Sequence, residues 1–343
     1  MPIRSELAAS SVSALLNLVE GHRVTAVICT ATELGIADHL FEGPKTLAQL
    51  ALETGTHERS LCRLLRGLVT LAICTETADG NFDLTELGTH LAAKSDRSLK
   101  AWTLLEGGML RTRWGKLSES IRTGKTADEL AGLGQERFEV IAKTKDAGLF
   151  NEAMASMTRS AVPDILSACD FSGIPILMDV GGGVGELMSA VLKKDPSMRG
   201  IVFDLQHCAE AAVKNVSEAG VADRFEFVAG SFFESLPAGA DAIMMKSVIH
   251  DWSDERCIRI LRNCRRALKR DARLIVIDRV VPDKLEPTVD NLSVVMSDLN
   301  MLGGIGGCER TESEFRDLLA MGGFHVKCVI PAGRYAVIEA SAD

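Results

Sequence analysis

Apolar positions along this chain follow two different periods, and the change between them divides it. From Leu7 to about Leu99 they recur at helical spacing. EGHRVTAVICTATELGIADHLF, TLAQLALETG and HERSLCRLLRGLVTLAI predict three successive helices. CTETADGNFDLTELG then sets Asp79-Gly80 between short apolar stretches, a hairpin signal. Three helices and a hairpin outline a winged helix. Between Ala101 and Ala161 the pattern stays helical, with Trp102 and Trp114 in WTLLEGGMLRTRWGKL. Within FNEAMASMT, Phe150, Met154, Met157 and Thr158 fall close together on one helical face, as core or as a pocket lining. Pro163 and the run Ser172 to Pro175 punctuate the passage to a second half. From Ile176 the period changes. ILMDV, GIVFDL, FEFVAG, AIMMKSVI and RLIVIDRVV read as strands alternating with helices, which predicts a mostly parallel sheet with crossover helices. HVKCVI and RYAVIEA, joined at Pro331, are expected to add an antiparallel edge. The fold class is α/β with an N-terminal helical domain. The expected segments are a winged-helix domain over 1–100, a helical linker and lid over 101–170, and the sheet domain over 171–343.

A length of 343 residues accommodates two domains with a sizeable core. The net charge of −9 argues against a general polyanion binder, because phosphate contacts need clustered positive charge. Arg59, Arg63 and Arg66 lie on the third helix, where a DNA reader would carry them. Glu53, Glu58, Glu76, Asp79, Asp83 and Glu86 surround them, so a dimerisation and lid role is the expectation, with no nucleic acid. The first residues, MPIRSELAASSVSALLNLVEGHR, mix charges into the apolar stretch and read as an amphipathic helix rather than a signal peptide. No uninterrupted apolar run approaches a bilayer span, so a cytoplasmic protein without a membrane partner is expected. The nine cysteines are scattered, with no C-x-x-C pair and no Cys/His cluster at zinc spacing. They read as reduced apolar fillers, Cys257 and Cys264 sharing one helix face, and no metal is expected.

In open sheets of this kind ligands gather at the carboxyl ends of the strands. Asp179, Asp204, Lys246, His250 and Asp278 fall near such ends. In DVGGGVGE, Gly181, Gly183 and Gly185 give a strand-to-helix turn that lets a cofactor lie against bare backbone, but Glu186 stands where a dinucleotide fingerprint has its third glycine. Asp204 ends the second strand, at the distance where an acid accepts two ribose hydroxyls, with a helix N-cap as its alternative. A nucleoside cofactor without a pyrophosphate fits this set. MKSVIHDW puts His250 at the end of another strand, where a neutral imidazole could take a proton during group transfer. The bland alternatives are that His250 starts a helix, Asp254 caps it, and Glu309 pairs with Arg310 on the surface. Asp251 is expected to orient the turn and Trp252 to wall the cofactor site. Phe150, Met154, Met157, Met301 and Leu302 suit a flat aromatic ring, and Asn300 beside them could orient a substrate group. GGIGG at Gly303 to Gly307 reads as a loop leading to Glu309.

These segments, with GSFF at Gly230 to Phe233 and GGCERTESEF near the end, resemble the S-adenosylmethionine-dependent class I O-methyltransferases of the plant caffeate type and their bacterial relatives in antibiotic and pigment biosynthesis. The resemblance covers nearly the whole chain. It implies a Rossmann-like methyltransferase sheet, a homodimer with interlocked N-terminal domains, and a small or polycyclic aromatic substrate bearing a hydroxyl. S-adenosylhomocysteine is the implied product of the cofactor. Carried onto this sequence, the resemblance makes Asp179, Gly181, Gly182 and Gly183 the cradle for the methionine part. Asp204 with Leu205 becomes the ribose acceptor, and Gly230, Ser231 and Phe232 the adenine border. Lys246, Ser247, Trp252 and Thr158 lie close to the cofactor. Many relatives have aspartate at Ser231 and glutamate at Asp278. His250 is implied as the base, with Asp278 and Glu309 fixing its ring, as a carboxylate does in hydrolase triads. C- or N-methylation on the same fold, and a winged-helix regulator with a cofactor-sensing pocket, are the competing readings.

Overall fold

A computed structural model of the chain describes residues 11–132, 138, 144, 147–304 and 306–342, without the side chains of 270 and 271. The expected helical start at residues 1–10, Leu7 included, lies outside the described residues. The chain divides into two compact units, Met1–Thr112 with Gly148–Met157, and Arg113–Ala147 with Thr158–Asp343. Residues of the 101–170 stretch fall in both.

The first unit contains α1 (Ser11–Val19), α2 (Gly21–Glu33), α3 (Ile36–Phe41), α4 (Leu47–Thr54), α5 (Glu58–Thr70), α6 (Glu86–Thr89) and α7 (Lys100–Leu105). Its strands β1 (Lys45–Thr46), β2 (Cys74–Glu76) and β3 (Asn81–Leu84) pair antiparallel in the order β1-β3-β2. The expected first helix is broken between α2 and α3, where Gly35 takes φ 67°. Ile36, Leu40, Leu50, Leu61, Leu65, Leu68 and Phe82 form one buried cluster that holds the helices on the small sheet. Arg59, Arg63 and Arg66 lie on the exposed side of α5. Val12, Leu15, Leu16, Leu18 and Val19 of α1 are also exposed. By length and composition Ser11–Glu33, with a hydropathy of 1.2, is sufficient to cross a bilayer. Glu20, His22 and Arg23 interrupt it at the junction of α1 and α2.

The short helix α8 (Arg111–Trp114) spans the boundary, and the second unit goes on with α9 (Leu117–Thr123) and α10 (Ala127–Leu130). The helix α11 (Ala147–Ala168) runs on through Pro163, where a break was expected. Proline removes one i→i−4 hydrogen bond, and burial of Ala161 and Ile165 on either side of it holds the helix together.

The central sheet comprises β4 (Ile176–Val180), β5 (Arg199–Asp204), β6 (Phe225–Ala229), β7 (Ala240–Lys246), β8 (Leu268–Asp278), β11 (Phe324–Ala332) and β12 (Tyr335–Ala342). Its order is β11-β12-β8-β7-β4-β5-β6. The strands from β4 to β8 pair parallel, and β12 runs antiparallel to β8 and β11. The remaining helices are α12 (Glu186–Lys194), α13 (Ala209–Glu218), α14 (Asp254–Ala267), α15 (Val289–Gly304) and α16 (Glu312–Met321), and β9 (Val280–Val281) pairs with β10 (Arg310–Thr311).

Both faces of the sheet are covered, which is why its strands read as apolar runs. Leu177, Val202, Met244 and Ile275 pack with Leu187, Met188 and Val191 of α12. Met178, Ile243, Met245 and Val276 pack with Ile260 and Leu261 of α14 and Phe315 of α16. The expected antiparallel edge is present, but Pro331 lies inside β11, paired opposite Ala336, and the chain turns at Gly333 with φ 61°. β11 is an edge strand, where a residue without an N–H is tolerated. Strand order reverses at β4, between β5 and β7, and an open sheet offers its binding crevice at such a point.

Candidate active site

The chain leaves β4 through the glycine turn and enters α12. Gly181, at φ 74°, donates its N–H to Phe203 O at 2.8 Å. A Cβ on Gly181 would stand 2.7 Å from Val248 Cγ2, and one on Gly182 would stand 2.6 Å from the Asp179 carboxyl. Neither position admits a side chain, so bare backbone faces the crevice. Burial and the charge of Asp204 push Asp179 up to about 7, against the pull of Lys246. Asp204 ends β5. Its Oδ2 accepts the Gly183 N–H at 2.7 Å and its Oδ1 the Leu205 N–H at 2.6 Å, tying the two strand ends together. Burial lifts its pKa while the two amides oppose the rise. Each carboxylate oxygen keeps a lone pair for a hydroxyl donor. The glycine cradle and this acidic strand end fit the methionine part and the ribose of S-adenosylmethionine.

Glu186, the residue that spoils a dinucleotide fingerprint, is held by Arg159 of α11, which donates from Nε at 3.1 Å and from Nη2 at 2.9 Å. The position therefore has a structural partner in place of a glycine's close packing. Ser231 Oγ accepts the Phe233 N–H at 3.3 Å, so its hydroxyl is engaged in the loop. Gly230 packs closely on the Phe203 ring. Asn263 fixes the same loop by donating to Phe232 O at 2.9 Å. Phe232 and Phe233 meet the Trp252 ring edge-on, with centroids 6.0 and 4.8 Å away. Trp252 is buried, and its indole Nε1 has no hydrogen-bond partner among the described residues. Lys246 Nζ donates to Ser247 Oγ at 3.2 Å and stands 4.6 Å over the Tyr335 ring.

The apolar run expected to continue to Ile249 leaves the sheet at Lys246. Ser247 takes φ 55°, donating its N–H to Ile277 O, and Ile249–Asp251 form a 3₁₀ turn. That turn buries His250. Glu309 Oε1 lies 3.0 Å from His250 Nδ1 and also accepts the Ser297 hydroxyl at 2.6 Å, while the Glu309 N–H donates to Asp298 Oδ1 at 2.9 Å. Asp251 Oδ1 stands 3.5 Å from Nε2. Asp278, expected alongside Glu309 as a ring-fixing group, is 3.9 Å from Nδ1, and both its oxygens are buried without a hydrogen-bond partner among the described residues.

Burial pulls the imidazole down, but Asp278, Asp251 and Glu309 outweigh it and lift His250 to about 10. Burial raises Asp278 and Asp251 to about 7 against the pull of His250. Burial also works against ionisation of Glu309, yet His250 and the Ser297 hydrogen bond hold its carboxyl below the usual range. With Glu309 on Nδ1, Nε2 is the nitrogen left to exchange a proton.

Sequence reasoning missed the supports of this cluster. Arg310 is buried rather than paired with Glu309 on the surface. It donates to Asp254 Oδ1 at 2.6 Å, Trp252 O at 3.0 Å and Ile249 O at 3.2 Å, and so clamps the His250 turn onto the loop that carries Glu309. The cap of α14 is Ser253, and Asp254 is the first residue inside the helix. A Cβ on Gly307 would fall 1.9 Å from His250 O, which gives the glycine run a packing reason. The ERT spacing after that run was the available signal for Arg310. Ser297 carried none, because its contact depends on how α15 docks. Of the expected substrate residues, Asn300 and Met301 lie on α15 in the second unit, whereas Phe150, Met154 and Met157 lie on α11 in the first. Thr158 is the first residue of α11 assigned to the second unit.

The O-methyltransferase domain model matches residues 114–325, and the O-methyltransferase dimerisation domain model matches residues 16–94. The chain is 37% identical to a phenazine O-methyltransferase of Lysobacter antibioticus over 96% of its own length and 95% of the relative's. It is 36% identical to the mitomycin biosynthesis 6-O-methyltransferase of Streptomyces lavendulae, covering 92% of this chain and 90% of that one. The structure of human N-acetylserotonin methyltransferase in complex with S-adenosylmethionine superposes with a TM-score of 0.89 at 26% identity, covering 98% of this chain and 99% of that one.

Proposed function

The chain belongs to the O-methyltransferase family as an S-adenosylmethionine-dependent enzyme, and we propose that it methylates a hydroxyl of a small or polycyclic aromatic metabolite with His250 as general base. The observation that carries this reading is the buried Nδ1 contact between His250 and Glu309 at 3.0 Å, on the same carboxyl edge of the sheet as the Asp204 strand end. When bound, S-adenosylmethionine supplies an electrophilic sulfonium methyl. Gly181, Gly182, Gly183, Asp179 and Asp204 would hold it, with Leu205, Gly230, Phe232, Lys246, Ser247, Trp252 and Thr158 around it.

A free phenol has a pKa near ~10 and is mostly protonated at neutral pH, so its oxygen is a poor nucleophile. His250 Nε2 accepts that proton as the acceptor oxygen attacks. Glu309 fixes the ring through Nδ1 and stabilises the imidazolium, and Asp251 adds negative charge on the Nε2 side. Asp278, whose oxygens have no hydrogen-bond partner among the described residues, contributes charge. Asn300 and Met301 are assigned to the acceptor. Leu16, Leu18 and Val19, exposed and within the dimerisation match, support a homodimer.

Calorimetric titration with S-adenosylmethionine, S-adenosylhomocysteine and NAD tests the cofactor assignment. Both sulfur nucleosides should bind and NAD should not. Asp204→Ala should weaken them by roughly 10- to 100-fold through lost charge-assisted hydrogen bonds. Binding of NAD alone would overturn the reading.

A further inference from the structure

Away from the His250 cluster, the second unit holds a buried cation that the methyl-transfer chemistry does not use. Arg113 is 9% exposed. Its Nη2 pairs with Asp128 Oδ2 at 3.3 Å, and its Nη1 has no hydrogen-bond partner among the described residues. A buried donor left without an acceptor forfeits its hydration with nothing in return, so one lining a cavity calls for an acceptor from elsewhere. Arg113 lines such a cavity with Trp114, Leu117, Leu299, Asn300 and Gly303. At about 10 Å³ the cavity has room for one water-sized atom, so it takes a single oxygen at the edge of a larger molecule. It also lies close to the proposed chemistry. Asn300 follows Ser297, which donates to Glu309, by three residues on α15, an advance of ~4.5 Å along the same face.

We propose that this cavity is the acceptor-specificity subsite, and that it takes a neutral carbonyl oxygen of a ketone, quinone or amide at the ring edge away from the methylated hydroxyl. The proposal rests on the methyltransferase reading above and names its substrate class. Size and charge select the neutral oxygen. A space of about 10 Å³ admits one oxygen atom rather than the two of a carboxylate. Asp128 already faces the guanidinium, so a carbonyl satisfies Nη1 without setting a second carboxylate beside it in a poorly hydrated space. Asn300 supplies an uncharged amide donor beside it, and Trp114 a flat apolar wall.

The test measures affinity of the S-adenosylhomocysteine-loaded protein for three ring-matched probes. These are 1-naphthol, 5-hydroxy-1-tetralone with a far-edge carbonyl, and 5-hydroxy-1-naphthoic acid with a carboxylate there. The tetralone should bind roughly tenfold or more tighter than 1-naphthol, and tighter than the naphthoate. Arg113→Met should level the tetralone with 1-naphthol, and Asp128→Asn should shift the preference toward the naphthoate. Binding of S-adenosylhomocysteine by each variant checks its fold, and a variant that fails this check leaves the wild-type comparison to decide. No preference for the tetralone in the wild type, preference for the naphthoate, binding of none of the three, or an unchanged pattern in a folded Arg113→Met protein would each overturn the subsite. Failure of the wild type to bind S-adenosylhomocysteine would instead overturn the reading on which it rests.

Discussion

Replacing Glu309 by Gln keeps the shape of the contact to His250 and removes its charge. At 3.0 Å, with an effective dielectric constant of ~20, Coulomb's law gives about 5 kcal/mol between Glu309 and the imidazolium, equal to ~4 pKa units. Asp251 and Asp278, both raised to about 7, are already ionised where the ring titrates near 10 and keep their own pull on it. The fall in the His250 pKa should therefore stay within ~4 units. The sign of the kinetic effect follows. The base works when neutral, so wild-type transfer should climb with pH toward the raised value near 10, and in Glu309→Gln the acidic limb should move to lower pH. The plateau rate should drop by ~10²-fold or more, because the imidazolium formed in the transition state loses its partner. The assay is the pH profile of kcat by methyl transfer to a phenol, with calorimetry of S-adenosylhomocysteine alongside. An unmoved acidic limb at an unchanged plateau would refute the electrostatic reasoning. Loss of nucleoside binding in parallel would mean that Glu309 acts through the fold.

Gly182→Ala should weaken S-adenosylhomocysteine binding and lower the Tm, since its Cβ would lie 2.6 Å from the buried Asp179 carboxyl, an overpacking that costs ~1–3 kcal/mol. Thermal melts with and without the nucleoside check both effects. Arg310→Met should orphan the Ile249 and Trp252 carbonyls at about 1–3 kcal/mol each, while exposed Asp254 turns to water. Its kcat should fall far more than its nucleoside affinity, a split readable by steady-state kinetics and calorimetry.

The sheet was legible because covering both faces turns each strand into an apolar run, and because the glycine turn and Asp204 sit at its carboxyl ends, where ligands gather. The ends of elements were not. Pro163 and Pro331 read locally as breaks, yet one is held inside α11 by flanking core residues and the other sits on an edge strand. Ser247 has no sequence cue for its positive φ, which turns His250 out of the strand. His250 and Glu309 were legible as chemical types in an ordered set of motifs. The difference between Glu309 on Nδ1 and Asp278 0.9 Å farther off was not, because it depends on how α15 and the loop before β10 dock. Arg113 drew no notice, since an arginine in a helical stretch is ordinarily solvated and only the tertiary packing of α8, α10 and α15 buries it.

The most direct test of the central claim is single-turnover methyl transfer by His250→Ala, with saturating S-adenosylmethionine and a phenol that the wild type methylates, followed by mass spectrometry of the product. The expected result is transfer slowed by ~10²- to 10⁴-fold with S-adenosylhomocysteine affinity nearly unchanged. Turnover equal to wild type would contradict the assignment of His250 as the base.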